Sequence, residues 1–180
     1  MDRKTMTIDF SFKDTSLGGK LITPFIFTDE RGTFIKDFNN YIFKDNGLDF
    51  TPQEVLNVTS NKGVLRGMHF QLETPQAKVV RCLHGSIYDV IVDVRKGSPH
   101  FGRWEGFYLN DKNLTSLYIP KGFAHGYLVL EDNTHVQYLC DDLHKAWLDV
   151  GIPYDDEDVN IEWPLQLVGG EQNLIISDRD

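Results

Sequence analysis

The sequence has no apolar run approaching the roughly 18 residues that a membrane-crossing helix needs, which excludes a helical membrane protein. Cysteine is scarce: Cys82 and Cys140 stand far apart, with no C-x-x-C spacing. That arrangement predicts reduced, structural thiols and excludes a disulfide scaffold, a zinc site or redox chemistry. Basic residues are also in short supply, with 18 Lys and Arg against 27 Asp and Glu and a formal net charge of -9. So acidic a chain argues against nucleic-acid binding, and any phosphate ligand has to meet a local cluster of basic side chains. The opening stretch MDRKTMTIDF carries no apolar segment and no small-residue cleavage site, so no secretory signal is expected and a cytoplasmic location is. Repeats, linkers and low-complexity tracts are missing too. A length of 180 residues, 41% of them hydrophobic, suits a single domain over residues 1–180 with a substantial core.

Helical patterning is sparse, confined to DFNNYIFKDNG near residue 37 and HKAWLDVG near residue 144. What fills the chain instead is a series of short apolar or alternating segments: GKLITPFIF, GVLRGMHFQ, AKVVRCLHG, SIYDVIVDVR, WEGFYLND, TSLYIPKG, AHGYLVLED and THVQYLCDD. They are rich in Val, Ile, Tyr and Phe and are separated by turn signals such as HGS, KGSPHFG, NDKN and EDN. The class is mostly β. A strand-rich chain without a helical layer closes most economically as a sandwich, jelly roll or barrel. Sheet edges left over by that closure can pair with a second copy, so a homodimer is expected.

Two segments carry candidate chemistry. In GVLRGMHFQ, strict alternation puts Val64, Arg66, Met68 and Phe70 on one face and Leu65, Gly67 and His69 on the other. Arg66 and His69 then point apart, unless Gly67 bends or bulges the strand and turns both toward one cavity. From this stretch alone, His69 is equally well an interior histidine with satisfied partners, and Arg66 a surface cation. The second segment, PKGFAHGYLV, places His125 in the order P-x-G-x-x-H, which resembles the second motif of the cupin superfamily. Cupin metal sites draw an H-x-H from the first motif, where this chain has His69, Phe70 and Gln71. The remaining facial set would be His69, Glu73 and His125, and with one ligand missing no resident metal is expected.

Taken in order, DERGTF, GVLRGMHFQ, PQAKVVRCLHGSIYDVIVDVRKGSPHFGRWEG, IPKGFAHGYLVL, IEWP and the closing SDRD resemble the signatures of the dTDP-4-dehydrorhamnose 3,5-epimerase family, the RmlC-like cupins. The resemblance runs from about Ile22 to the last residue. It implies a cupin double-stranded β-helix, a jelly roll with a few short helices. It also implies a cofactor-independent isomerase that inverts C3, C5 or both in a nucleotide-diphosphate-linked 4-keto-6-deoxy sugar. The ketone acidifies its neighbouring C–H bonds because the carbanion delocalises as an enolate. The family's base corresponds to His69, its supporting carboxylate to Asp180 with Asp178 as a competitor, its lysine near the ketone to Lys78 and its proton donor to Tyr138. Arg31 and Arg66 match arginines at the diphosphate. His125, Asp149 and Arg179 fall at further substrate-contacting positions.

The match weakens around the nucleobase. His144 stands where the family often has a tyrosine that stacks on thymine, Lys36 replaces a glutamate, and Val55 replaces the glutamine of a Gln-x-Asn run of which Asn57 remains. These three departures bring GDP- or CDP-linked 4-keto sugars, including heptoses, into consideration as substrates. A nucleotide-sugar ketoisomerase, which uses similar groups, and a non-catalytic sugar-binding cupin also stay open at this point.

Overall fold

Period-2 alternation organises the two larger sheets, whose central strands turn one face toward a shared interior and the other toward a covering segment. The computed structural model describes residues 6–180. In chain order its strands are β1 (Met6–Ile8), β2 (Ser11–Asp14), β3 (Lys20–Thr23), β4 (Phe25–Asp29), β5 (Gly32–Lys36), β6 (Glu54–Ser60), β7 (Leu65–Gln71), β8 (Lys78–His84), β9 (Ser86–Asp93), β10 (Trp104–Asn110), β11 (Ser116–Ile119), β12 (Phe123–Val129), β13 (Thr134–Cys140) and β14 (Asp149–Gly151). They pair antiparallel into a six-stranded sheet β2-β3-β11-β8-β13-β6, a five-stranded sheet β10-β9-β12-β7-β14 and a three-stranded sheet β1-β4-β5. The mostly β class expected from the sequence is observed. So are its two helical stretches, now the six-residue helix α1 (Asn40–Asp45) and a single 3-10 turn at Ala146–Leu148.

The main core lies between the two larger sheets. Val80 and Cys82 of β8, Leu117 and Ile119 of β11 and Val136 of β13 meet Ile87 and Ile91 of β9, Leu109 of β10 and Phe123, Tyr127 and Val129 of β12. Alternate residues of the same strands face outward and are covered. On the six-stranded sheet, Ile22 and Val79 pack under Phe43, Leu48 and Phe50 around α1. The helix starts where the Asn39 side chain accepts from the amides of Tyr41 and Ile42, a cap that lets so short a helix form at all. On the five-stranded sheet, Met68, Val90, Val92 and Ala124 are covered by Ile152, Val159, Ile161 and Trp163 of the C-terminal segment.

The ladder between β7 and β12 is irregular at one place. His125 faces His69 and Tyr127 faces Arg66, so two steps on β12 span three on β7. The extra residue is a β-bulge, and it reverses the facing of one part of β7 relative to the other. Gly67, at its centre, has φ +115°, and a Cβ there would stand 2.5 Å from the Gly126 Cα and 2.6 Å from the His125 carbonyl oxygen. Neither contact can relax, since both are backbone. The bend on which the sequence reading depends is therefore present, and Arg66 and His69 line the same cavity.

At the far end of β9 a buried carboxylate ties down the following turn. Asp93, with no exposed surface, accepts from Arg95 Nε at 2.9 Å, Arg95 Nη2 at 2.6 Å and Ser98 Oγ at 2.6 Å. Burial by itself would raise its pKa, but the Arg95 and Ser98 hydrogen bonds outweigh it and bring the carboxyl down to about 2. A folded-state pKa below the unfolded value stabilises the protein above pH ~4, and that contribution disappears as the pH falls through about 2. The shift corresponds to about 2 kcal/mol. Melting temperatures of wild type and Asp93→Asn are expected to differ at neutral pH and to converge toward pH ~2. A gap that persists unchanged in acid would show that the carboxylate charge is not its source. Gly67→Ala is expected to lower the urea midpoint, with backbone strain alone contributing about 1–3 kcal/mol. An unchanged midpoint would mean that the bulge accommodates a side chain.

Candidate active site

The inward rows that fill the core with aliphatic side chains turn polar toward one end of the sandwich on β8, where Cys82 and Val80 give way to Lys78, and on β13, where Val136 gives way to Tyr138. On β9 Asp89 is set between the apolar Ile87 and Ile91, and on β12 Tyr127 and His125 are set between Val129 and Phe123. Where they turn polar a cavity of about 300 Å³ opens. His69, Arg66, His125 and Tyr127 line it from the five-stranded sheet, and Lys78, Tyr138 and Cys140 from the six-stranded sheet.

The bulge holds His69 against the end of the chain. His69 Nε2 lies 3.1 Å from Asp180 Oδ1 and 3.2 Å from the Arg179 carbonyl oxygen. Both partners can only accept, so the ring proton sits on Nε2 and Nδ1 keeps the lone pair. The same Asp180 oxygen accepts from the Gly67 amide at 2.9 Å, and its other oxygen accepts from Ser177 Oγ at 2.6 Å. Burial pushes the Asp180 carboxyl up, yet the Gly67 amide, Ser177 and His69 together hold it below the ordinary carboxylate range. Asp180, not the exposed Asp178, is the acid beside His69.

A second histidine–carboxylate pair lies deeper. His125 Nε2 faces both oxygens of Asp89, at 3.1 and 2.9 Å, and Asp89 has no exposed surface. Burial raises the Asp89 pKa against the opposing pull of His125 and Lys78. Burial likewise lowers the Lys78 pKa, opposed by Cys140, Asp149 and Asp89. Tyr138 stands 5.7 Å from the His125 ring, edge-on, and burial raises its phenol well above the ordinary value, so it holds its proton at neutral pH. Asp89 escaped sequence reasoning, although a lone carboxylate inside the apolar run IYDVIV was a signal.

Positive charge gathers at the mouth. Arg66 reaches Ser60 Oγ at 3.3 Å through both Nε and Nη2, and Arg179 Nη2 holds Asp149 Oδ2 at 2.7 Å. Both arginines, Asp149 and His144 line the cavity, and the His144 amide donates to Glu54 at 2.9 Å. Three expected site residues do not reach it within this subunit. Arg31 is exposed and forks onto Asp29, Lys36 sits 5.3 Å over the Phe25 ring beside a separate hollow, and Asn57 accepts from Gln137 on the exposed face of β6. Alternation explains Asn57: Leu56 and Val58 take the cavity side of β6, so their neighbour cannot. Glu73 is exposed and outside the cavity lining, and among the described residues no group of three or more His, Cys, Asp or Glu is arranged to hold a metal ion.

Comparison with known proteins bears on this arrangement directly. The family description dTDP-4-dehydrorhamnose 3,5-epimerase matches residues 15–180. A dTDP-4-dehydrorhamnose 3,5-epimerase of Methanothermobacter thermautotrophicus is 47% identical over 173 residues, covering 96% of this chain and 92% of that protein. Among solved structures, the dTDP-6-deoxy-D-glucose-3,5-epimerase RmlC of Legionella pneumophila, in complex with dTDP-4-keto-L-rhamnose, superposes with a TM-score of 0.89 at 37% identity, covering 96% of this chain and 90% of that one. A 3'-monoepimerase of Streptomyces bikiniensis, in complex with dTDP-quinovose, superposes with a TM-score of 0.84 at 34% identity, covering 93% and 83%. With a profile spanning nearly its whole length and a cupin-like fold shared with these enzymes, the chain belongs to the dTDP-4-dehydrorhamnose 3,5-epimerase family.

Proposed function

We propose that this protein is a cofactor-independent isomerase that epimerises a dTDP-linked 4-keto-6-deoxy sugar at C3 and C5, working as one cupin domain over residues 1–180. The observation that carries the reading is the placement of His69 and Tyr138 on facing sheets across one cavity. Inversion needs a base and an acid on opposite sides of the same carbon, and a single group would only exchange the proton. His69 takes the proton at Nδ1, while Asp180 and the Arg179 carbonyl oxygen on Nε2 stabilise the imidazolium that results. Lys78, recessed in the cavity wall, supplies the donor that faces the oxygen on which the enolate charge collects. Tyr138 then delivers a proton from the other wall. Arg66 and Arg179 provide the local positive charge that a diphosphate requires on an otherwise acidic protein, and His125, Asp149 and His144 complete the substrate surface.

A second reading, inversion at C3 alone, draws support from the likeness to the 3'-monoepimerase. The same base and acid serve either outcome, and the orientation of the sugar decides between them. Relatives 40–47% identical all carry the dTDP-sugar name, which favours thymidine over guanosine or cytidine as the linked nucleoside.

Arg31 and Lys36 keep a substrate role only if a second subunit brings them to the cavity. The three-stranded sheet that carries them also exposes Met6, Ile8 and Phe34, an apolar surface suited to pairing. A homodimer is therefore part of this proposal, as is a cytoplasmic location in keeping with two free, buried thiols. Sedimentation is expected to give twice the 20.7 kDa chain mass, and a monomer at micromolar concentration would remove Arg31 and Lys36 from the site.

Incubating dTDP-, GDP- and CDP-linked 4-keto-6-deoxy sugars with the protein in D2O tests the chemistry, with deuterium incorporation and product stereochemistry as readouts. Wild type is expected to incorporate deuterium and invert the dTDP sugar. His69→Ala is expected to lose exchange by roughly 10² to 10⁴. Tyr138→Phe is expected to retain exchange and lose inversion. Full exchange in the His69 variant would remove it as the base, and equal loss of both activities in the Tyr138 variant would remove it as the donor.

A further inference from the structure

Tyr127 is a large polar side chain of the cavity wall to which the proposed chemistry gives no role. It is 1% exposed, and its ring lies 6.1 Å from His125 and 6.3 Å from Tyr138. Its hydroxyl is buried and closes no hydrogen bond among the described residues. A buried hydroxyl without a partner destabilises a fold, and a phenylalanine of the same shape would avoid that cost. The hydroxyl is nonetheless well surrounded. Burial raises its pKa, and the nearby Tyr138 hydroxyl, the Arg66 charge and the Ser60 hydroxyl oppose that rise.

We propose that Tyr127 is a positioning residue for Tyr138, its unpaired hydroxyl donating a hydrogen bond to the Tyr138 oxygen once that oxygen has given up its proton. The inference rests on the epimerase reading and concerns its second half-reaction. There the electron pair of the enolate forms a C–H bond with the Tyr138 proton, the Tyr138 O–H bond breaks, and the negative charge passes to the phenol oxygen. His69 meanwhile holds the proton taken from the opposite face, and its return to Tyr138 by way of solvent resets the site. The transient phenolate lies in a recess where burial strongly disfavours charge. At rest, the neighbouring Tyr127 helps to keep the proton on Tyr138, behind the larger effect of burial. A hydroxyl rotor needs no movement of the ring to reverse that relationship, and a bond from O–H to O⁻ is much stronger than one between neutral hydroxyls. Arg66 adds a long-range positive potential to both oxygens, and among the described residues Tyr127 is the hydroxyl-bearing side chain that acts on Tyr138 in this way.

The test is Tyr127→Phe in the full chain, assayed on the dTDP-linked 4-keto sugar in D2O. Inversion is expected to slow roughly tenfold or more while deuterium exchange through His69 keeps the wild-type rate. The melting temperature should equal or exceed that of wild type, because an unpaired buried hydroxyl has been removed. In a Tyr138→Phe background, adding Tyr127→Phe should have no further effect on inversion, an outcome that a purely structural role would not produce. Wild-type inversion by Tyr127→Phe, equal loss of exchange and inversion, or additive losses in the double variant would each overturn the assignment. If wild type itself neither exchanges nor inverts the sugar, the epimerase reading falls and this inference with it. An active wild type with an unaffected Tyr127→Phe removes the inference alone.

Discussion

A single carboxylate oxygen, Asp180 Oδ1, holds the candidate active site together. It accepts from the amide of Gly67 at the centre of the β7 bulge and faces Nε2 of His69 two residues on. One contact thereby fixes a local backbone irregularity, the tautomer of a histidine and the docking of the C-terminal residues. The bulge needs a partner, since the ladder to β12 is interrupted there, and an amide left unpaired in the interior costs about 1–3 kcal/mol. The histidine needs an acceptor on one nitrogen to keep its lone pair on the other. Ser177 completes the arrangement by donating to the second oxygen, so the carboxylate is anchored from three directions.

Around that anchor the electrostatics of the cavity are arranged against solvation. Lys78, Asp89 and Tyr138 are each displaced by burial toward their neutral forms, and each is answered by a specific neighbour of opposite tendency. Asp89 lies within hydrogen-bond reach of His125 and pulls on Lys78 from the interior. The mouth differs in kind: Arg66 and Arg179 remain reachable by water, so they can neutralise a diphosphate without a large desolvation cost. A chain with an overall charge of -9 thus concentrates positive potential where an anionic ligand would sit.

How much of this was legible beforehand depends on the range of the interactions involved. The strands from β7 to β13 follow from alternation and turn chemistry, both local, and so do the two short helical stretches. His69, Tyr138, Lys78 and Arg66 stand in motifs whose order along the chain is itself informative. Hidden from the sequence were features set by pairing between distant segments. Whether Gly67 bulges depends on Gly126, 59 positions away, leaving room for its backbone. Asn57 fell on the wrong side of β6 because the phase of that strand, beyond its alternation, is set by pairing to β13. The short strands β1, β2, β5 and β14 carry too few apolar residues for a pattern to emerge, and the C-terminal cover over Met68 and Val90 has no regular period at all.

The cavity also contrasts with the core it continues. The two share strands, and the rows of inward positions pass from one to the other without a break in the backbone. A core optimised for stability would extend Val129, Val80 and Ile87 into the polar end and close the space, gaining about 1.5–3 kcal/mol for each aliphatic side chain buried. Instead that end retains two histidine–carboxylate pairs, a desolvated lysine and a tyrosine hydroxyl that closes no hydrogen bond among the described residues. None of these lowers the free energy of the empty fold as much as an aliphatic packing would. They share another property: each is poised to interact more strongly with a species that carries or transfers charge than with the groups already around it. The stability forgone at one end of the sandwich measures how far the residues there are fitted to a reacting molecule, and the aliphatic layers at the other end are what allow the fold to carry it.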